Sequence, residues 1–212
     1  MTADFEWAKE YALGRLGSEL SPWLTYHSLR HTRDDVLPAA ERLGKAAGID
    51  DDALLCLSTA ALFHDIGFLY TYDDHEARGI LIAETVLPGF GYSAAQLATI
   101  AGLIAATKMP QRPTCLLAEL LCDADLDVLG REDFWAINRQ LLAETVHYQR
   151  RSIGQAEWLG NQLRFLEEHT YFSSAARALR DPGKERNAEH MRHALLGLNG
   201  ATTHQLRVDS DH

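Results

Sequence analysis

Apolar side chains recur every three or four positions from about residue 3 to residue 169, the spacing that lines one face of a helix. No stretch of useful length alternates apolar and polar residues as a half-buried strand does. Such a chain must bury helix faces against one another, so the expected class is all-α, a helical bundle. Local breakers divide it. A first helix spans residues 3–20 and stops at Ser21-Pro22. A second begins near Tyr26, kinks or restarts at Pro38, and ends at Gly44 and Gly48. Asp50, Asp51 or Asp52 caps a third, whose run ALLCLSTAALFHD is apolar on almost every side and so belongs in the interior. A fourth covers residues 75–86, and a fifth starts at Ser93. A loop with two prolines over residues 108–113 precedes a sixth, TCLLAELLCDADLD, closed by Gly130. Two more follow over residues 132–148 and 153–169, with Trp135 and Trp158 as core anchors. Apolar density falls after Asp181, which leaves a short helix over residues 185–196 and a mobile tail over 200–212. The expected organisation is one domain over residues 1–180 and a partly mobile C-terminal extension over 181–212.

Charge narrows the partners. The formal net charge is -10, and a surface this acidic repels phosphate backbones, so nucleic acid is not an expected partner. Hydrophobic residues make up 46% and charged residues 24%, as in ordinary soluble domains, which excludes a fibrous or disordered chain. Cys56, Cys115 and Cys122 form no CxxC pair and lie in apolar runs, the pattern of reduced core thiols in the cytoplasm. The N-terminal stretch MTADFEWAKEYALGRL lacks the apolar run of a signal peptide, and no stretch is expected to supply a membrane span.

The two most apolar helices both end in ionisable residues, Phe63-His64-Asp65 and Cys122-Asp123-Ala124-Asp125. Buried charges cost several kcal/mol unless partnered, and neither helix has a basic partner nearby in sequence. A divalent cation shared by His64, Asp65 and Asp123 accounts for both ends, and His31 completes a set of two imidazoles and two carboxylates. Mixed nitrogen and oxygen donors suit Mn, Fe, Co or Zn, with Mg also compatible, and a water acidified by the metal is a natural nucleophile for hydrolysis.

His31, His64-Asp65 and Asp123, in that order and within ALFHDIG and LLCDADLD, resemble the H…HD…D signature of the HD-domain superfamily over residues 24–130. The resemblance implies an all-α fold and a metal-dependent phosphohydrolase. The segment YHSLRHTRDD is similar to the YHN..HA.DV segment of cyclic-nucleotide phosphodiesterases, with Ser28 in place of asparagine and Asp35 in place of valine. That likeness implies His27 as general acid, His31 as metal ligand and Asp34 as a residue orienting a ligand.

Catalytic work is therefore expected from His27, Asp65 and Lys108, the last as a cation near the transferred phosphoryl group. Arg112, Arg30, Arg33 and Glu119 are further candidates to face the site, one of Asp125 and Asp127 to support Asp123 and the other to close the helix, and His75 to bind a second metal, contact substrate or cap a helix. His169, His190, His193, His204 and His212 read as surface or tail residues. The expected substrate is a small phosphorylated, nucleotide-like molecule, such as a cyclic nucleotide or other phosphodiester, with no membrane partner and homodimerisation open. Two other classes compete: a metal-retaining, nucleotide-binding regulatory module, and a di-iron HD-fold oxygenase.

Overall fold

The computed structural model describes residues 2–208, with side chains over residues 2–198. The described chain is 76% helical and holds no strand, so the fold is all-α. Nine α-helices follow in chain order among the described residues: α1 Phe5–Glu19, α2 Leu37–Ala47, α3 Asp51–Phe63, α4 His75–Val86, α5 Ala94–Ala106, α6 Leu116–Asp125, α7 Phe134–Gln149, α8 Gln155–Glu168 and α9 Ser174–Val208.

Helix α3 is the hub, because α1, α2, α5 and α6 all pack against it. Every residue from Cys56 to Phe63 is buried, which is why this helix tolerates no polar face. Asp50 caps it by accepting from the Ala53 N–H at 2.8 Å. By length and composition the stretch from Asp51 to Leu69 passes as a membrane span, contrary to expectation, yet 72% of its most apolar window is buried within this fold. Ser93 opens α5 with a full capping box closed by Gln96.

Pro38 does more than kink the second helix. It has no N–H and its ring crowds the carbonyl four residues back, so the chain ahead of it widens into a π-helical turn over His31–Val36. The Leu37 N–H reaches back five residues to the Thr32 carbonyl. The segment from Tyr26 to Ser28 is not helical, contrary to the expected start near Tyr26. A buried carboxylate on α7 holds it instead: Glu144 accepts from the N–H groups of Tyr26 at 2.9 Å and His27 at 3.1 Å.

The C-terminal region also departs from expectation. In place of a short helix over 185–196, α9 is one 35-residue helix that runs through Pro182 and across the boundary expected at residue 180. Ala188 and Met191 on α9 are buried in the same core as the rest. Arg180 forks onto Asp127 with two 2.8 Å bonds, and the Asn187 amide donates to the Leu129 and Arg131 carbonyls. Gly183 lets α9 lie against Gly130, since a Cβ there would stand 2.0 Å from the Gly130 carbonyl oxygen. The expected tail over 200–212 falls outside the described side chains, and residues 209–212 fall outside the described residues altogether. Cys56 and Cys122 are buried thiols, whereas Cys115 is exposed rather than in the core.

His169, at the end of α8, is not the surface residue expected. Both its ring nitrogens are buried without a hydrogen-bond partner. Burial, helped by the Lys184 charge, pushes its pKa down from 6.5 to about 4. The unfolded chain therefore takes up a proton that the folded chain refuses, so stability is lost as pH falls from 6.5 towards 4. Discounted for partial exposure, the loss is on the order of 1–2 kcal/mol. His169→Gln is expected to lose less stability than the parent over that pH interval in urea titrations. Equal losses in the two proteins would refute the assignment.

Candidate metal centre

Three elements converge beside the end of α3. His64 is the last turn of that helix, and Asp65 follows with φ -102° and ψ 1°, which turns the chain into a 3-10 segment over Ile66–Leu69. Gly67 lies so close to α4 that a Cβ would stand 1.9 Å from the His75 carbonyl oxygen, and this contact brings His75 beside Asp65. His31 enters from the start of the π-helical turn and Asp125 from the end of α6.

His31, His64 and Asp65 are buried and present ligand atoms that all lie within 4.8 Å of one another, so this group could hold a metal ion. Asp125 closes the ring: its Oδ1 is 3.2 Å from His31 Nε2 and 3.5 Å from His64 Nε2. On the other side Asp65 Oδ2 is 3.6 Å from His31 Nε2 and 3.2 Å from His64 Nε2. Donors about 2.1 Å from one ion at right angles stand about 3 Å apart, which these edges approach. His64 Nε2 and Asp65 Oδ2 are buried and neither makes a hydrogen bond. They stand 3.2 Å apart, and a cation held between them would satisfy both. His64 Nδ1–H donates to the Ala61 carbonyl at 2.8 Å, which leaves Nε2 as the free donor atom.

The electrostatics agree. Burial alone would lift the Asp65 carboxyl, but the His64 and His75 imidazoles hold it well below the usual range. Burial opposes protonation of His64, yet Asp65 and Asp125 push its pKa well above the ordinary value. The cluster thus attracts positive charge strongly, and a divalent cation is the alternative to that proton.

Asp123 does not join the cluster. Its carboxylate is 1% exposed and accepts the Phe172 and Ser173 N–H groups, each at 2.8 Å, at the start of α9. Asp125, rather than the expected Asp123, is the α6 carboxylate that faces His31 and His64. Around α6, position 125 lies about 200° from 123, on the opposite side. Asp123 and Asp127 both serve α9, which leaves Asp125 for the histidines. Gln111, from the loop with the cis Met109-Pro110 bond, donates to Asp125 Oδ2 at 3.3 Å and steadies it.

His27 sits beside the ring, its centroid 6.0 Å from that of His31. Its Nδ1–H donates to Glu144, a fully buried carboxylate that the sequence did not single out. Burial opposes protonation of His27, but the Glu144 hydrogen bond and the charges of Asp65, Glu144 and Asp125 outweigh it and raise the pKa. Phe68 lies between two imidazoles, stacked on His75 at 3.7 Å and on His27 at 4.5 Å, and fixes both. His75 Nε2 stands 3.5 Å from Asp65 Oδ1, the oxygen turned away from His31 and His64.

Lys108 does not reach the centre. Its ammonium pairs with Asp74 in an exposed ion pair ahead of α4. Asp34 is exposed and forks with Arg33, so it orients no ligand, and Arg30 pairs with Asp133 at 3.3 Å. Glu119 lines a separate surface groove beside α9, and Arg112 is exposed. No family model matches the chain, and no curated protein or solved structure does either.

Proposed function

We propose that this chain is a metal-dependent phosphohydrolase of the HD-domain type that cleaves a small phosphoester. The observation that carries the reading is the buried group of His31, His64 and Asp65, joined by half-buried Asp125, with an anchored imidazole, His27, opening on the same cavity. A bound divalent cation supplies an acidified water and polarises the phosphoryl oxygens. The four ring residues hold it, and mixed imidazole and carboxylate donors favour Mn, Fe, Co or Zn over an all-oxygen ion. Glu144 accepts the Nδ1–H and, with the nearby carboxylates, favours the imidazolium, whose second proton at Nε2 His27 delivers to the leaving oxygen. With Lys108 paired to Asp74, positive charge at the phosphoryl group falls to the cation and to protonated His27. Cyclic nucleotides and other phosphodiesters stay within this class.

A second reading has one observation behind it. His75 and Glu76 lie beside Asp65 Oδ1, with His75 Nε2 3.5 Å from that oxygen and 3.6 Å from Glu76 Oε1. His75, Glu76 and Asp65 would hold a second cation, which would suit phosphoester cleavage and also an iron oxygenase.

Elemental analysis of the purified protein, before and after reconstitution with Mn, Fe, Co, Zn or Mg, tests both together with a panel of phosphomonoesters and phosphodiesters. One cation per chain and cation-dependent phosphate release are expected. Two irons and no phosphate release would replace the hydrolase with the oxygenase. A retained cation with no turnover but tight nucleotide binding would leave a regulatory module. No cation under any condition would refute the centre itself.

A further inference from the structure

The cavity that reaches the metal centre has two ends of opposite character. At one end it is bounded by Asp65, Asp125, His27 and His75. It then runs between the segment after α6, α7 and α8, where Leu126, Val128, Phe134, Ile137, Leu141 and Phe165 form its walls. Its volume is about 280 Å³, near the small end of ligand cavities. Among the described residues no lysine or arginine lines it, while Asp65, Glu76 and Asp125 all do.

The polar groups in the apolar half are few and mostly bonded to one another. Asn138 Oδ1 accepts from the Trp158 indole N–H at 2.7 Å, and its amide N–H donates to Gln162 Oε1 at 2.7 Å. The Thr107 hydroxyl donates to the Ile104 carbonyl at 2.8 Å. The Gln162 amide N–H groups and the second Asn138 amide N–H are the few donors that remain there. A nucleoside would bring a sugar and a base whose several hydrogen-bonding groups would go unmatched, and an unmatched buried polar group is expensive. A di- or triphosphate chain would meet carboxylates and no cation of the protein.

We infer that the substrate is a phosphoester with one phosphoryl group and a compact apolar organic group, aromatic or short aliphatic, which occupies the chamber between α7 and α8. The inference rests on the phosphohydrolase reading for the phosphoryl end alone. The apolar group contributes affinity by leaving water for the chamber walls, and it carries the leaving oxygen to His27.

Calorimetric binding of non-hydrolysable phosphonates to the metal-loaded protein tests it without turnover. Phenylphosphonate is expected to bind at least about 30-fold more tightly than methylphosphonate and than a non-hydrolysable adenosine triphosphate analogue. Leu141→Trp, which fills the chamber, is expected to erase the phenyl advantage while methylphosphonate binding changes by less than about 3-fold. Equal affinity for phenyl and methyl compounds in the parent protein, or tighter binding of the triphosphate analogue, would overturn the inference whatever the variant does. Selective phenylphosphonate binding without phosphate release from phenyl phosphate under any cation would keep the chamber assignment and discard the hydrolase reading.

Discussion

Asp125→Asn is expected to weaken metal binding by at least about 100-fold, whereas Asp123→Asn keeps its metal and loses stability instead. The two residues are two positions apart, and their burial alone does not separate their roles. Their partners do. Asp125 Oδ1 faces His31 and His64, so removing its charge takes a donor from the ring. Loss of a group that merely supports a ligand costs about 10–100-fold in affinity, and a ligand itself costs more. Asp123 faces two backbone N–H groups at the head of α9. An asparagine there offers one acceptor oxygen, so one of those N–H groups meets an amide donor, at a cost of about 1–3 kcal/mol. Metal content by elemental analysis and urea midpoints on both variants check the pair. Metal loss in Asp123→Asn with metal retained in Asp125→Asn would reverse the assignment.

This difference marks where the sequence stops being legible. Helical class, most breaks between elements and the pairing of His64 with Asp65 follow from periodicity, caps and the oddity of ionisable residues ending apolar helices, with His31 as the imidazole that completes the donor set. The choice among Asp123, Asp125 and Asp127 does not, because α6 is buried on more than one side, towards α2 and towards α3. An acid on either side reads as an anomaly, and only the position of α9 decides which side needs which acid. The clue available was that Asp123 and Asp125 lie on opposite sides of one helix, so only one of them could serve the histidines. Glu144 was hidden for another reason. It lies in an amphipathic helix 117 residues from His27, and an ordinary helix glutamate gives no sign that it will be fully buried. Lys108 shows the converse error. A cation in a loop near the site in sequence found a closer carboxylate in Asp74, and exposed pairs of that kind form wherever the loops allow.

His27→Ala is expected to keep the metal and to slow turnover by about 100-fold or more, the scale of losing a general acid. The metal is spared because His27 is no member of the ring; it stands beside it, held by Glu144 and stacked on Phe68. Glu144→Gln refines the test. The glutamate oxygens bind the Tyr26 and His27 N–H groups and the His27 ring at once. A glutamine can keep the backbone bonds with its carbonyl, but it then turns an amide N–H towards His27 Nδ1. That selects the tautomer with its proton at Nε2 and removes the negative charge that favours imidazolium, so the ring keeps its place while its readiness to give up and regain the proton changes. Glu144→Gln should therefore lower kcat more than it raises KM, with the metal retained. The decisive comparison is the leaving group. A substrate whose leaving oxygen needs no proton, such as a nitrophenolate ester, should lose much less rate in His27→Ala than an alkyl ester does. Equal losses on both esters would mean that His27 positions the substrate and transfers no proton to it.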